Sequence, residues 1–275
     1  MDIGIYAIGK REGTEYMNKS ILEVRDIQKT FYDGPIVKAL DHVSMSVGYN
    51  EIVGVVGESG CGKSTLARVI THLEICDAGT IFLKGEDITF YKGKKLRNCY
   101  QSIQMVFQDA VGSFDQRLTI LQNISESLDN FTRLSRQEKY CQLVSLLEQV
   151  GLNGEYAKRL PGQLSGGECQ RAAIARAIAL QPQLLICDEA TSALDVSVQA
   201  QIIELLAKLV KELKMSLLFI SHDLALVSSF CDRVVVMYEG KIVEEGRTAQ
   251  VIHCPRDPYT KCLLSSAFLM NCDAG

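Results

Sequence analysis

The sequence predicts an α/β fold, a mostly parallel sheet with helices on both faces. Three observations carry this. Ile52-Val53-Gly54-Val55-Val56 is a continuous apolar run, as in a parallel strand covered on both sides. A glycine-rich turn follows it, and then a helical stretch from Ser64 to His72. Beyond residue 180, apolar strand-like runs alternate with helical patterns, the arrangement a parallel sheet requires.

The chain has 275 residues, room for one large domain or two modest ones. Apolar residues make up 47% and charged residues 23%, which sets disorder aside. Lys and Arg number 29 against 33 Asp and Glu, a net charge of −4 that gives no support to a nucleic-acid-coating protein. No apolar run approaches the roughly 18 residues of a membrane-spanning helix. The first 20 residues mix Lys10, Arg11 and Glu12 with polar residues and lack the apolar core of a secretory signal. The ten cysteines are scattered, so they read as reduced thiols of a cytosolic protein.

The elements follow in order. Residues 1–20 read as a tail, with Met1 and Met17 both open as start sites. Ile21 to Val24 is strand-like, and Val43 to Val47 alternates apolar and polar residues as a half-buried strand does. Ile81 to Leu83 is another short strand. The stretch from about 113 to 180 reads as a helical insertion. There Ser135 with Glu138 forms a capping box, Leu143, Leu146, Leu147 and Val150 share a helix face, and Gly151 is the stop. Leu184 to Cys187, Leu217 to Ile220 and Val234 to Met237 are further strands. Between the first two of these, the helix from about Ser197 to Leu213 turns Ile202, Leu205, Leu206, Leu209 and Leu213 inward. One domain over 21–265 and a C-terminal tail over 266–275 are expected.

Gly57-Glu58-Ser59-Gly60-Cys61-Gly62-Lys63-Ser64 matches the phosphate-loop pattern of glycine, four residues, then Gly-Lys-Ser. Its setting, after a buried strand and before a helix, is the one that pattern needs. Glycines let backbone N–H groups turn toward phosphates, and the helix N-terminus adds partial positive charge. Lys63 would reach the β- and γ-phosphates, Ser64 would ligate Mg²⁺, and Thr65 can add a contact. Cys61 reads as a small space-filler.

Leu184-Leu185-Ile186-Cys187-Asp188-Glu189 is an apolar strand ending in two carboxylates, placed at the crevice of a parallel sheet. Neighbours on a strand point oppositely, so the acids should divide the labour. Asp188 would hold Mg²⁺ and Glu189 would polarise the attacking water as general base. Leu164-Ser165-Gly166-Gly167-Glu168 opens a further helix, Cys169 to Leu180, and offers bare N–H groups to a second anion. With one phosphate loop in the chain, that turn suggests use in trans, two copies paired head to tail.

Together these motifs resemble those of ABC-type ATPases, the nucleotide-binding subunits of ATP-driven transporters. Leu164 to Glu168 is similar to the family's LSGGQ signature, with Glu168 where Gln is commoner, and the run Gln170 to Ala177 continues the match. The resemblance implies a P-loop NTPase fold with an N-terminal antiparallel β lobe and an inserted helical subdomain. It implies that Gln108 is the Q-loop ligand of Mg²⁺ and water, and that Asp195, in Ser192-Ala193-Leu194-Asp195, lies on the dimer interface. His222 would contact the γ-phosphate, and Phe31, with Tyr32 as its rival, would stack on adenine. The implied ligands are ATP and Mg²⁺.

Ile103 to Asp109, Leu160 to Gln163 and the segment Pro255 to Leu264 are similar to the oligopeptide, dipeptide and nickel importer ATPases, with Asp257 where histidine is usual. The widely spaced Cys254, Cys262 and Cys272 are expected to bind no iron. The resemblance implies two transmembrane permease subunits, a second ATPase subunit of the same or a similar sequence, and an extracytoplasmic solute-binding protein. The chain would be peripheral, on the cytoplasmic face of the membrane, with no nucleic-acid partner. Peptides, nickel and other chelated metals all remain open as cargo. A soluble relative acting on ribosomes or DNA, and an exporter ATPase, are the alternatives.

Overall fold

The structure, a computed structural model, describes residues 20–32, 34–192 and 194–269, with backbone only for 267–269. The start-site question at Met1 and Met17, Ala193 and Cys272 lie outside the described residues.

Two sheets form the frame. The first is antiparallel and comprises β1 (Ser20–Phe31), β2 (Val37–Gly48), β4 (Ala78–Leu83) and β5 (Glu86–Asp87) in the order β2-β1-β4-β5. β1 and β2 are longer than the alternating pattern suggests. Asp26 and His42 have left-handed φ of 54° and 57°, and the pairing shifts register between Val24 and Ile27. Those bulges break the period-two signal without ending the strands.

The second sheet takes in β3 (Ile52–Val56), β6 (Ile103–Val106), β7 (Leu184–Asp188), β8 (Ser216–Ile220), β9 (Arg233–Tyr238) and β10 (Lys241–Arg247). Its order is β10-β9-β3-β8-β7-β6, parallel except for the β9–β10 pair. Every residue of β3, β7 and β8 is buried. The unbroken apolar runs are therefore strands covered on both faces.

One face carries α1 (Lys63–Ile70), packed with β3 side chains against the antiparallel sheet. α2 (Gly93–Cys99) is short and has no buried residue. Between β6 and β7 come α3 (Ile120–Phe131), α4 (Arg136–Gln149), 3₁₀ turns at Gly154–Lys158 and Pro161–Gln163, and α5 (Gly166–Ile178). α4 opens with the Ser135–Glu138 capping box and buries Leu143, Leu146 and Leu147. Their apolar faces join those of α6 (Val196–Leu213), α7 (Leu224–Phe230) and α8 (Thr248–His253) in a second core. α9 (Pro258–Leu269) closes the described chain.

Candidate active site

The phosphate loop joins β3 to α1. Gly57, Gly60 and Gly62 have φ of +152°, +81° and +106°. At two of them the lack of a side chain is a packing need as well. A Cβ on Gly57 would lie 2.1 Å from the Met237 carbonyl, and one on Gly62 2.2 Å from the Ala39 carbonyl. Gly62 is also the N-cap of α1, so the first N–H groups of that helix are left for a ligand. Lys63 is buried, and its Nζ donates to the carbonyls of Gly57 and Glu58, both at 2.8 Å. Cys61 Sγ is 3.8 Å from that ammonium, and burial raises the thiol's pKa above its ordinary value. Glu58, Ser59 and Gly60 are exposed at the loop's rim, with Ser64 and Thr65 half-buried beyond it.

The acids sit across the loop. Ser64 Oγ donates to Asp188 Oδ1 at 2.9 Å. Burial pushes the Asp188 carboxyl up from the usual carboxylate range, opposed by the Ser64 hydrogen bond. A bound cation would offset that burial. The Ser64 hydroxyl, the buried Asp188 carboxylate and the Gln108 amide oxygen are hard-oxygen donors of the kind that would suit Mg²⁺.

Glu189 corrects one detail of the sequence reading. β7 ends at Asp188, and Glu189 turns off it with a left-handed φ of 45°. The two carboxylates diverge because of this turn rather than by strand alternation. Glu189 Oε2 accepts from Gln108 Nε2 at 2.9 Å, and its Oε1 is 3.8 Å from His222 Nδ1. Gln108 follows β6 and His222 follows β8, so three adjacent parallel strands deliver these groups to one place. His222 is set by its neighbours. Ser221 N–H donates to the Val55 carbonyl, and Asp223 caps α7 through Leu226 N–H.

Other residues stand apart. Ser165 and Glu168 close a capping box at α5, with Ser165 Oγ accepting from Glu168 N–H at 3.3 Å and Glu168 Oε2 accepting from Ser165 N–H at 2.7 Å. The Tyr156 hydroxyl donates to the same carboxylate and, more than the backbone bond, holds its pKa below the ordinary value. The N–H groups of Gly166 and Gly167 lie in the first turn, where no intrahelical acceptor exists. A cleft of about 320 Å³ brings Gly166 together with Gln108, Gln170, Ser192 and Leu194. Asp195 is exposed at the start of α6 and makes no side-chain capping bond there. Phe31 ends β1 with Lys29 Nζ 5.1 Å from its ring centre, and Tyr32 is 70% exposed. No described contact ties either ring to the phosphate loop.

Sequence reasoning missed three supporting residues. Arg176 Nη1 and Nη2 donate to the Ser113 carbonyl (2.6 Å) and hydroxyl (2.7 Å), tying α5 to the segment after Gln108. Tyr156 braces the α5 turn, and Tyr259 reaches the phosphate loop from α9. Arg176 lay in the run after the signature and Tyr259 in the segment Pro255 to Leu264, but neither contact could be read there.

Fold and site together define a P-loop nucleotide hydrolase. Residues 40–192 match the family model described as ABC transporter, and the chain belongs to that family. It is 44% identical over 246 residues to the oligopeptide transport ATP-binding protein OppF of Salmonella typhimurium, covering 89% of this chain and 74% of that protein. It is 41% identical to the dipeptide transport ATP-binding protein DppF of Escherichia coli, over 94% of this chain and 79% of the other. Among solved structures, a dimeric ATP-binding cassette in a post-hydrolysis state with ADP and Pi matches with TM-score 0.76 at 29% identity, over 82% of this chain and 98% of that one. The protein is an ATPase whose nucleotide is ATP, with Mg²⁺ the cation standard for the family. Among the described residues no helix is long and apolar enough to cross a membrane.

Proposed function

We propose that this chain is the ATP-hydrolysing subunit of an importer for short peptides. The observation that carries the chemistry is the convergence of Lys63, Ser64, Asp188, Glu189, Gln108 and His222 on one end of the parallel sheet. The cargo class rests on the relatives named for oligopeptide and dipeptide transport. Chelated nickel is the cargo the test below separates from peptides.

In this reading residues 21–265 are one ATPase domain with a helical subdomain inserted at about 113–180. Residues 57–65 wrap the phosphates, Lys63 compensates their charge, and an aromatic at Phe31 stacks on adenine. Ser64, Asp188 and Gln108 would hold Mg²⁺, which when bound draws charge from the β- and γ-phosphates. Glu189 takes a proton from water, and His222 steadies the γ-phosphate. Ser165, Gly166 and Gly167 close on a partner subunit's nucleotide, with Asp195 at the same interface. The pair closes because ATP binds the closed state better than the open one. Two transmembrane permeases follow that closure, and the chain docks to them on the cytoplasmic face, with a solute-binding protein outside.

The test is a tagged Glu189→Gln variant in native cells, with membranes solubilised in ATP. Two multi-span permeases, a second ATPase and a peptide-carrying binding protein are expected to co-purify. Ribosomal or DNA-repair proteins in their place would overturn the transport reading, and a nickel-carrying binding protein would overturn the cargo.

A further inference from the structure

The outer wall of the phosphate loop is held by residues outside the nucleotide-binding motifs. Gly240 N–H donates to the Cys61 carbonyl at 3.0 Å, and Glu58 N–H donates to the Tyr259 hydroxyl at 3.0 Å. The second contact spans 201 residues of sequence. Tyr259 is itself firmly placed. Glu244, on β10, accepts the backbone N–H groups of Arg256 (2.9 Å) and Asp257 (3.1 Å). Asp257 Oδ1 then accepts Tyr259 N–H at 2.8 Å, and the Tyr259 ring lies against that of Tyr238 with centroids 4.2 Å apart. Burial, more than any other cause, raises the phenol's pKa, so the hydroxyl is neutral at physiological pH.

Glu58 is thus gripped from both sides. Lys63 pulls on its carbonyl from within the loop, and Tyr259 holds its N–H from outside. We propose that Tyr259 is a positioning residue for the nucleotide site, its hydroxyl keeping the β3-side arm of the phosphate loop open against the inward pull of Lys63. The inference rests on residues 57–65 being the ATP site. The hydroxyl is not needed to dock α9. Glu244, Asp257 and the ring stack do that, so removing the hydroxyl takes a protein partner from one group alone, the Glu58 N–H. A loop that spends less time in the receptive shape binds ATP more weakly by the same fraction.

The experiment uses the purified chain and a fluorescent ATP analogue displaced by ATP, beside the thermal midpoint without nucleotide and the kcat and KM of any turnover. Tyr259→Phe is expected to raise the ATP Kd, and KM with it, about five-fold, the usual net worth of one such hydrogen bond. Its kcat and thermal midpoint should stay close to wild type, because the ring stack remains. Tyr259→Leu should raise Kd at least as far and lower the midpoint too. An unchanged Kd in Tyr259→Phe, or a Kd change only in Tyr259→Leu, overturns the proposal. Lys63→Ala is the control: if it binds ATP like wild type, the phosphate-loop reading itself fails. If Lys63→Ala loses ATP while Tyr259→Phe does not, the positioning role alone fails.

Discussion

Gln108 Nε2 donates to Glu189 Oε2 at 2.9 Å, joining the loop after β6 to the turn after β7. The bond fixes a carboxylate whose backbone already sits in a strained left-handed turn. His222 faces the other oxygen of the same group. Glu189 is therefore held from two strands, an arrangement suited to aiming a base at one water. Glu189→Gln keeps the shape and removes the basicity. It should bind ATP like wild type, hydrolyse it on the order of 10²–10⁴-fold more slowly and accumulate a closed dimer. Single-turnover kinetics and gel filtration in ATP check this; wild-type hydrolysis would remove Glu189 from the role of base.

Lys63 is the one buried ammonium among the described residues, and its Nζ donates to two loop carbonyls. Lys63→Ala should weaken ATP binding by at least about ten-fold, since a charge-assisted hydrogen bond to a phosphate is lost. Titration with a fluorescent ATP analogue measures it.

Asp188 is buried and its carboxyl is raised by that burial. Asp188→Asn keeps an oxygen to accept from the Ser64 hydroxyl but removes the negative charge available to a cation. ATP affinity of the wild type should be greater in Mg²⁺ than in EDTA, and the difference should shrink in this variant. An equal Mg²⁺ effect in both proteins would take Asp188 out of the metal site.

Gly54 lies in the middle of β3, where a Cβ would stand 2.2 Å from Val227 Cγ1 and 3.0 Å from Cys231 Sγ. Gly54→Ala should cost about 1–3 kcal/mol by forcing α7 off the sheet. Gly85→Ala meets nothing within 4 Å and pays only for its φ of +79°, so its thermal midpoint should fall less. Thermal melts of the two variants compare packing against backbone strain.

The capping box of α4 has a pH signature. The Ser135 hydroxyl, and after it the Ser135 N–H, hold the Glu138 carboxyl below its ordinary 4.5. A depressed carboxylate stabilises the fold above its ordinary value and loses that effect as pH falls through the lowered one. Ser135→Ala should lower stability by about 1 kcal/mol at pH 7. The gap to wild type should narrow as pH falls below Glu138's ordinary value and through its lowered one, because Glu138 takes up its proton in both proteins. Melts at pH 7 and pH 3 check the sign.

The phosphate loop, the acidic pair and the turn at Ser165 were legible because each is contiguous in sequence and its chemistry is local. Gln108 and His222 carry no meaning alone and were found through their order around the loop. The two long strands were only half legible, because Asp26 and His42 interrupt the alternation. α2 escaped because it buries nothing, and β10 because it is a half-exposed edge strand rich in charge. Tyr259 lay in the segment that resembles the importer ATPases, but its contact was beyond reach. Nothing in Pro258-Tyr259-Thr260 announces a hydrogen bond to residue 58, and only tertiary structure brings the two together.

The strand order has a consequence during synthesis. β3 is made early, yet both its neighbours, β8 and β9, leave the ribosome late. Until Ser216 to Tyr238 has emerged, Ile52–Val56 is an apolar strand with neither edge paired, a hazard for aggregation in the nascent chain. The loop it carries gains its last brace only when Tyr259 arrives. A half-made chain should therefore hold no ATP, and ribosome-bound fragments stalled before β9 should be the ones that chaperones capture.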